Sequence, residues 1–308
     1  MAATGVSPYP SLDELLAASP ALEGALAGLR RAAPLDSPVL LLGEPGSGRS
    51  TLARALHGAS GRTGALVELD PSTVPASLFE SELFGYRAGA FTGAAADLEG
   101  RVARAERGTL VLDQVEEIPL ASQPKLLRLL ADKRYRPLGG EERTAAVRFV
   151  ALGSEALPRR VRQGLFRGDL YYRLEVLAFR VPPLRERKGE VPAIASALLA
   201  DLAARLGRPS PQLADGALGW MGEHAWPGNL RELRNVLERA LVLGDGGALD
   251  PAPPAAFAGA RPRPLAEVER DEIVKALAHT RGHQGKAAAL LGISRKALWE
   301  KRKRFGIP

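Results

Sequence analysis

Residues 38 to 57 read Pro38-Val39-Leu40-Leu41-Leu42-Gly43-Glu44-Pro45-Gly46-Ser47-Gly48-Arg49-Ser50-Thr51 and then Leu52-Ala53-Arg54-Ala55-Leu56-His57. The apolar run Val39–Leu42 predicts a buried strand, the glycines a tight loop, and the Ala- and Leu-rich segment after them a helix. Strand, glycine loop and helix in that order make a phosphate cradle. Successive backbone N–H groups close around an anion at the helix N-terminus, and Ser50 is placed to ligate a magnesium ion. The spacing is that of the P-loop at every position but one, because Arg49 stands where the pattern has Lys. Gly43, Glu44, Pro45, Gly46, Ser47, Gly48, Arg49, Ser50 and Thr51 are therefore the candidate contacts for ATP and Mg²⁺. Arg keeps the positive charge, but its planar guanidinium is bulkier than an ammonium and makes a poor point contact between phosphates.

Working outward, further strands are expected at Leu66–Leu69, ending on Asp70, at Thr109–Leu112, ending on Asp113-Gln114, and at Arg148–Leu152. Apolar strands alternating with helical segments predict a parallel sheet covered by helices. Helices are expected after Ser11, as an N-cap, and over Pro20 to Ala32. The carboxylate that ends Thr109–Leu112 suits a Walker B strand, with Asp113 in the magnesium shell beside Ser50. Gln114 can hydrogen-bond a water but cannot take its proton. General-base assistance is worth roughly 10²- to 10⁴-fold, so turnover that relies on Gln114 is expected to be weak or absent.

Between these strands lies Gly89-Ala90-Phe91-Thr92-Gly93-Ala94, whose small residues leave one bulky group, Phe91, beside a hydroxyl, Thr92. Such a segment folds back sharply and presents one ring. Beyond Pro182-Pro183 the pattern from Val191 to Leu243 is helical, with a turn near Gly207 to Pro211, and Trp226 is assigned to its core. Gly244 to Pro264 has too few spaced apolar residues for a core and reads as a linker. A helix from Leu265 to Ala278, a turn, a short helix at Lys286–Leu291, the turn Gly292-Ile293-Ser294 and a basic helix Arg295–Phe305 make a helix-turn-helix. Ser294 caps the reading helix, Arg295, Lys296 and Lys301 are the candidate DNA contacts, and Leu298 and Trp299 are expected to hold that helix to its neighbours.

Composition agrees with these assignments. The 308 residues carry a net charge of +7, and the last 44 hold ten Lys or Arg against five Asp or Glu. A basic tail suits nucleic acid. There are no cysteines, which removes disulfides and thiolate metal sites. The four histidines show no ligand spacing. No apolar run approaches the roughly 18 residues that span a membrane, so a cytoplasmic protein with no membrane partner is expected.

From Ser19 to Ile307 the chain resembles the sigma-54-dependent transcriptional activators, AAA+ ATPases that remodel a bacterial RNA polymerase holoenzyme. The residues that carry the resemblance are Glu80-Ser81-Glu82-Leu83-Phe84-Gly85 followed by the hexapeptide Gly89–Ala94, then Trp226-Pro227-Gly228-Asn229-Leu230-Arg231-Glu232-Leu233, and Ala287–Leu298 at the Fis-type DNA-binding end. The resemblance implies an α/β AAA+ domain at 11–188 behind a disordered leader at 1–10, a helical lid at 189–243, a linker at 244–264 and a small all-α helix-turn-helix domain at 265–308. It implies that Phe91 and Thr92 touch the sigma factor, that Arg231 contacts phosphate, and that Arg167 and Arg173 reach a neighbouring subunit's nucleotide in a ring or a mixed oligomer. Four positions depart from the family pattern. Arg49 replaces Lys, Gln114 replaces the Glu that polarises the attacking water, Asp70 replaces the Asn that restrains that Glu, and Gly153-Ser154 replaces the Thr-Asn sensor. Two functions compete: an activator that presents its loop to the sigma-54 holoenzyme in a nucleotide-dependent way, or a non-hydrolysing DNA-binding regulator or adaptor. With ten residues before Ser11, control by expression level, partners or the nucleotide is expected.

Overall fold

Along each central strand, neighbouring side chains enter different cores, as a pleated sheet covered on both faces requires. Leu40, Leu110, Leu112, Phe149 and Ala151 join one cluster, packed with the helices Phe79–Phe84, Gln123–Asp132 and Gly168–Leu174. Val39, Leu41, Val111, Val150 and Leu152 join the other, with the helices Leu12–Ala17, Pro20–Ala25 and Arg49–Gly58. These features come from a computed structural model that describes residues 10–244, 248–251, 269, 270, 273, 274, 276, 277, 280, 283–305 and 307.

The described strands, in chain order, are β1 (Val39–Leu42), β2 (Leu66–Leu69), β3 (Gly85–Tyr86), β4 (Leu98–Glu99), β5 (Thr109–Leu112), β6 (Arg134–Tyr135), β7 (Arg143–Thr144), β8 (Arg148–Gly153) and β9 (Leu177–Arg180). Five of them form a parallel sheet in the order β2-β5-β8-β1-β9. The chain enters at β1, in the interior of the sheet, and winds to both sides of it. This puts the glycine loop in the crevice at the carboxyl ends of the strands, where ligands of open α/β sheets bind. The other four strands pair as two short antiparallel hairpins, β3 with β4 and β6 with β7.

Local chemistry sets the element ends. Ser11 forms a capping box with Glu14 ahead of Leu12–Ala17. The single helix expected over Pro20 to Ala32 is two, Pro20–Ala25 and Leu29–Ala32. The break falls where β9 packs closely, since a Cβ on Gly28 would lie 3.0 Å from the Phe179 ring. Arg148 is fully buried at the start of β8, and its guanidinium donates to the Ala33 and Ala32 carbonyls at 2.5 and 2.6 Å. It thereby closes the carbonyl end of Leu29–Ala32, although burial pushes its pKa down to about 10.

The lid consists of Val191–Arg205, Asp215–Glu223 and Asn229–Leu243 around Leu199, Met221, Trp226 and Leu237. Trp226 is fully buried and donates its Nε1–H to the Met221 carbonyl at 2.9 Å. Lid packing continues beyond Leu243. Leu249 is buried in the same cluster and bridges to Leu213, and Trp220 Nε1 donates to the Pro251 carbonyl at 2.9 Å.

The chain divides into two units, 1–252 and 253–308. In the second, Ile273, Ala276, Leu277, Ala287, Ala288 and Leu298 form a small core beneath the helices Gln284–Leu290 and Arg295–Phe305. The expected leader up to residue 9, most of the linker, and much of the helix and turn assigned to 265–285 lie outside the described residues. Among the described residues, no helix is long and apolar enough to cross a membrane.

Candidate functional site

The carboxyl edge of the sheet gathers most of the candidate nucleotide residues. Gly43 N–H donates to the Gly153 carbonyl at 3.1 Å, fastening the start of the glycine loop to the end of β8. Gly46 has φ +77°, and a Cβ there would lie 2.6 Å from the Gly228 carbonyl, so both its conformation and its closeness to the lid demand glycine. Ser50 Oγ lies 3.4 Å from Asp113 Oδ2. Burial pushes the Asp113 carboxyl up, against the hydrogen bond from Gln114 N–H and the charge of Arg49. A hydroxyl and a carboxylate converging on one point are hard oxygen donors that fit Mg²⁺, which keeps several of its waters and takes few protein ligands. Arg49 behaves differently from the loop around it. It is largely buried, and its guanidinium donates to the Gly153 carbonyl.

Beside this pair, Gln114 is a non-glycine residue in left-handed conformation, with φ +46° and ψ +50°. Its Nε2 donates to Asp70 Oδ2 at 2.8 Å and to Ser72 Oγ at 2.8 Å. Asp70 and Gln114 meet because β2 and β5 run in register and Asp113 N–H donates to the Leu69 carbonyl at 2.9 Å. Ser154 enters this edge through its backbone, whose N–H donates to Glu116 Oε1 at 3.0 Å. Glu116 is a buried carboxylate that motif reading passes over, because nothing in Glu116-Glu117 separates the inward residue from the outward one.

Asn229 is the other omission. Fully buried with φ +52°, it accepts from Leu184 N–H at 2.7 Å and donates through Nδ2 to Glu44 Oε2 and the Pro45 carbonyl, both at 3.1 Å. It thus ties the lid to the glycine loop. The signal was present in Pro227-Gly228-Asn229, since Asn after a turn dipeptide tolerates the left-handed region. Glu44 is also gripped by Arg185 through two hydrogen bonds of 2.7 Å, which hold its carboxyl below the usual range. Leu230 N–H donates to the Gly46 carbonyl at 3.0 Å, and the backbone of exposed Arg231 lies beside Gly46. Next to the loop, a cleft of about 360 Å³ is lined by Leu22, Ser47, Thr51, Ile194, Leu198 and Leu230.

The two outlying arginines are exposed and sit apart from this group. Arg167 pairs with Asp169 at 2.7 Å, and Arg173 reaches the Leu130 and Ala131 carbonyls at 3.3 and 3.4 Å. Among the described residues, neither bonds to the glycine loop, Asp113 or Gln114.

The segment Gly89–Ala94 caps the β3–β4 hairpin. Gly89 N–H donates to the Ala94 carbonyl at 2.8 Å, and Ala94 N–H donates to the Phe91 carbonyl at 3.0 Å, with φ +81° at Gly89 and +103° at Gly93. Ala94 is buried, while Phe91 and Thr92 are exposed. The Phe91 ring rests edge-on against Tyr86, with centroids 4.9 Å apart. Asp97 clasps the base by accepting from Ala88 N–H at 2.8 Å and pairing with Arg87. The β6–β7 hairpin supports it through Arg87 N–H to the Leu138 carbonyl at 3.0 Å and Leu138 N–H to the Gly85 carbonyl at 2.9 Å.

In the second unit, Ser294 Oγ accepts from Ala297 N–H at 3.1 Å, capping Arg295–Phe305. Arg295 and Lys296 are exposed, whereas Lys301 is paired with Glu269. Leu298 is buried as expected, but Trp299 is 56% exposed with Lys303 over its ring, so it does not anchor the helix.

Three family models match along the chain. The one described as Sigma-54 interaction domain matches residues 15–180, the AAA+ ATPase lid domain 185–258, and Bacterial regulatory protein, Fis family, 264–305. The alginate biosynthesis transcriptional regulatory protein AlgB of Pseudomonas aeruginosa is 40% identical over 306 residues, covering 96% of this chain and 68% of that protein. The formate hydrogenlyase transcriptional activator FhlA of Escherichia coli is 39% identical over 311 residues, covering 96% of this chain and 44% of that protein. Among solved structures, NtrX from Brucella abortus in complex with ATP is similar with a TM-score of 0.72 at 29% identity, covering 94% of this chain and 68% of that one. The complex of NtrX with ADP gives 0.71 at 28% identity, with 94% and 69% covered.

Proposed function

Because the chain belongs to the sigma-54-dependent transcriptional activators, we propose that it binds promoter or enhancer DNA through its helix-turn-helix and presents Phe91 and Thr92 to the sigma-54 RNA polymerase holoenzyme in a nucleotide-dependent way. The observation that carries this reading is the Gly89–Ala94 loop. Its base is fixed by backbone bonds, by Asp97 and by the β6–β7 hairpin, while its one large ring and its hydroxyl are left exposed. A ring held out of the core in this way is available to a partner.

ATP is the proposed ligand of the glycine loop, with Arg231 near its phosphates and the Leu22–Leu230 cleft beside it. The ATP and ADP complexes of NtrX support this. Mg²⁺ is the proposed ion for Ser50 and Asp113, where it would offset phosphate charge. Arg167 and Arg173, exposed on the surface, are proposed to complete the nucleotide site of a neighbouring subunit in a ring or a mixed oligomer. Arg295 and Lys296 are the proposed DNA contacts, and Lys301 joins them only by leaving Glu269. The setting is the cytoplasm.

One observation favours a second reading, a DNA-binding regulator that does not hydrolyse ATP. Arg49 is turned onto the Gly153 carbonyl, and Gln114 has no group to take a proton from water. That regulator would act by site occupancy or in mixed oligomers and needs no loop contact, so the test of the contact comes first. Purified sigma-54 should be retained by the full chain with a non-hydrolysable ATP analogue, and Phe91→Ala should lose at least about tenfold in that affinity, as hot-spot aromatic truncations of about 2 kcal/mol or more do. ATP and DNA binding should stay unchanged. Equal retention of sigma-54 by Phe91→Ala would remove the loop from the interface.

A further inference from the structure

The Gln114 amide does not face open solvent. It is bonded to a carboxylate, Asp70, that ends the neighbouring parallel strand. Asp70 is held in one orientation, because its Oδ1 accepts from Ser72 N–H at 2.9 Å and Ser72 Oγ at 2.7 Å. Its Oδ2 accepts only the Gln114 amide among the described residues, which leaves acceptor capacity on that oxygen. The edge that holds Ser50 and Asp113 therefore still contains one unmatched carboxylate beside one amide, with the carboxylate on β2 rather than at Gln114.

We propose that Asp70 is the catalytic residue that accepts the proton of the attacking water during ATP hydrolysis, and that Gln114 positions it. The inference rests on the nucleotide-dependent reading above. A bond forms between the water oxygen and the γ-phosphorus, while the bond from that phosphorus to the β,γ-bridging oxygen breaks. ADP leaves with the bonding electron pair, one water proton passes to Asp70 Oδ2 and on to solvent, and inorganic phosphate remains. Gln114 serves as the donor that fixes Oδ2, a role its amide fills and a carboxylate does not.

The arrangement makes an unusual demand on mutagenesis. Gln114→Glu alone would set two carboxylates at hydrogen-bond distance, which like-charge repulsion opposes. Asp70→Asn alone would leave two amides and no proton acceptor, yet it preserves the Ser72 cap because Asn also caps. Only the double exchange restores one of each.

The test uses the full chain and its Asp70→Asn, Gln114→Glu and doubly exchanged forms. Three quantities are measured: affinity for a fluorescent ATP analogue, phosphate release at saturating ATP, and the thermal midpoint without nucleotide. The unaltered chain is expected to release phosphate slowly. Asp70→Asn should cut that rate at least about a hundredfold, the low end of general-base loss, while changing analogue affinity by less than about twofold. Gln114→Glu should be no faster than the unaltered chain and should melt lower. The double exchange should regain the original rate or exceed it, and melt above Gln114→Glu, as coupled neighbours do. Hydrolysis that survives Asp70→Asn, or ATP binding by the unaltered chain with no turnover at all, overturns this inference and leaves the nucleotide-dependent reading standing. Failure of the unaltered chain to bind ATP would sink that reading and this inference together.

Discussion

The polar groups around the glycine loop and those around the Gly89–Ala94 loop are used in opposite ways. At the first, Glu44 is held by Arg185 and Asn229, Arg49 by the Gly153 carbonyl and Gln114 by Asp70 and Ser72. At the second, the bonds sit at the base of the hairpin, and the tip ends in an exposed ring with Tyr86 for a neighbour. The residues that depart from the P-loop and Walker patterns all lie in the first region, where a changed side chain finds new partners nearby. Phe91 and Thr92 in the second are exposed and have no such network among the described residues to absorb a change; on the proposed reading they answer to a partner outside the chain. Interlocked contacts allow exchange in compensated sets, while a presented ring is tested one residue at a time.

The sharpest way to break this comparison is at Asn229, where the lid grips the first region. Asn229→Ala removes three hydrogen bonds and leaves Leu184 N–H buried without an acceptor. An unsatisfied buried donor costs about 1–3 kcal/mol. The left-handed φ adds strain for any residue but Gly or Asn. We expect the AAA+ unit to melt several degrees lower, about 2–4 °C for each kcal/mol in a domain of its size, and ATP affinity to fall in parallel. Sigma-54 binding should decline only as far as nucleotide binding does. An unchanged melting midpoint would mean that the lid is held without this residue.

The frame of this arrangement was legible in the sequence because its elements announce themselves locally. Apolar runs need no partner to be read: Val39–Leu42, Thr109–Leu112 and Arg148–Leu152 fall where periodicity puts them, and the glycine loop follows from spacing alone. The partnerships across the sheet edge were not legible, since they join residues far apart in the chain. Asp70 and Gln114 stand in the sequence as two separate departures, and only the register of β2 with β5 makes them one hydrogen-bonded pair. Glu116 went unassigned because it cannot be told from Glu117 in sequence, and Asn229 because its turn signal does not name the distant Glu44 it bonds. Trp299 was misplaced because an aromatic at helical spacing reads as core, whereas that helix buries Leu298 and packs Phe305 against the small core.

A weaker perturbation separates the regions from the other side. Tyr86 gives the Phe91 ring its only aromatic neighbour among the described residues, at 4.9 Å. Edge-to-face pairs are worth about 0.5–1.5 kcal/mol beyond the area they bury. Tyr86→Leu should therefore let the ring wander and weaken retention by sigma-54 by roughly two- to tenfold through lost preorganisation. ATP affinity and the melting midpoint should hardly move. A parallel loss of ATP affinity would show that the two regions are coupled through the hairpin.

The smallest expected effect is a pH and salt dependence that the two regions share in sign and differ in persistence. Glu44 is lowered chiefly by its hydrogen bonds from Arg185, with Asn229 adding to them against desolvation, and Asp97 is lowered by Ala88 N–H and then by Arg87. A carboxylate whose folded pKa is depressed stabilises the fold above its unfolded value, near about 4, and that contribution fades as pH falls through the folded pKa. Both clasps should thus loosen on acidification from about pH 5 downward, and neither should respond between about pH 6 and 8. Because other carboxylates titrate in the same window, the measurement is a difference: melting midpoints from about pH 3 to 6 for the unaltered chain against Glu44→Gln and Asp97→Asn, at low and high salt. The Asp97 clasp is exposed, and salt should erase its share of the difference. Glu44 keeps part of its share, because it is partly enclosed and the neutral hydrogen bond from Asn229 adds to the charge of Arg185. If salt erased both equally, the lid contact would be no more enclosed than the surface clasp, and the contrast between a locked region and a presented one would not extend to electrostatics.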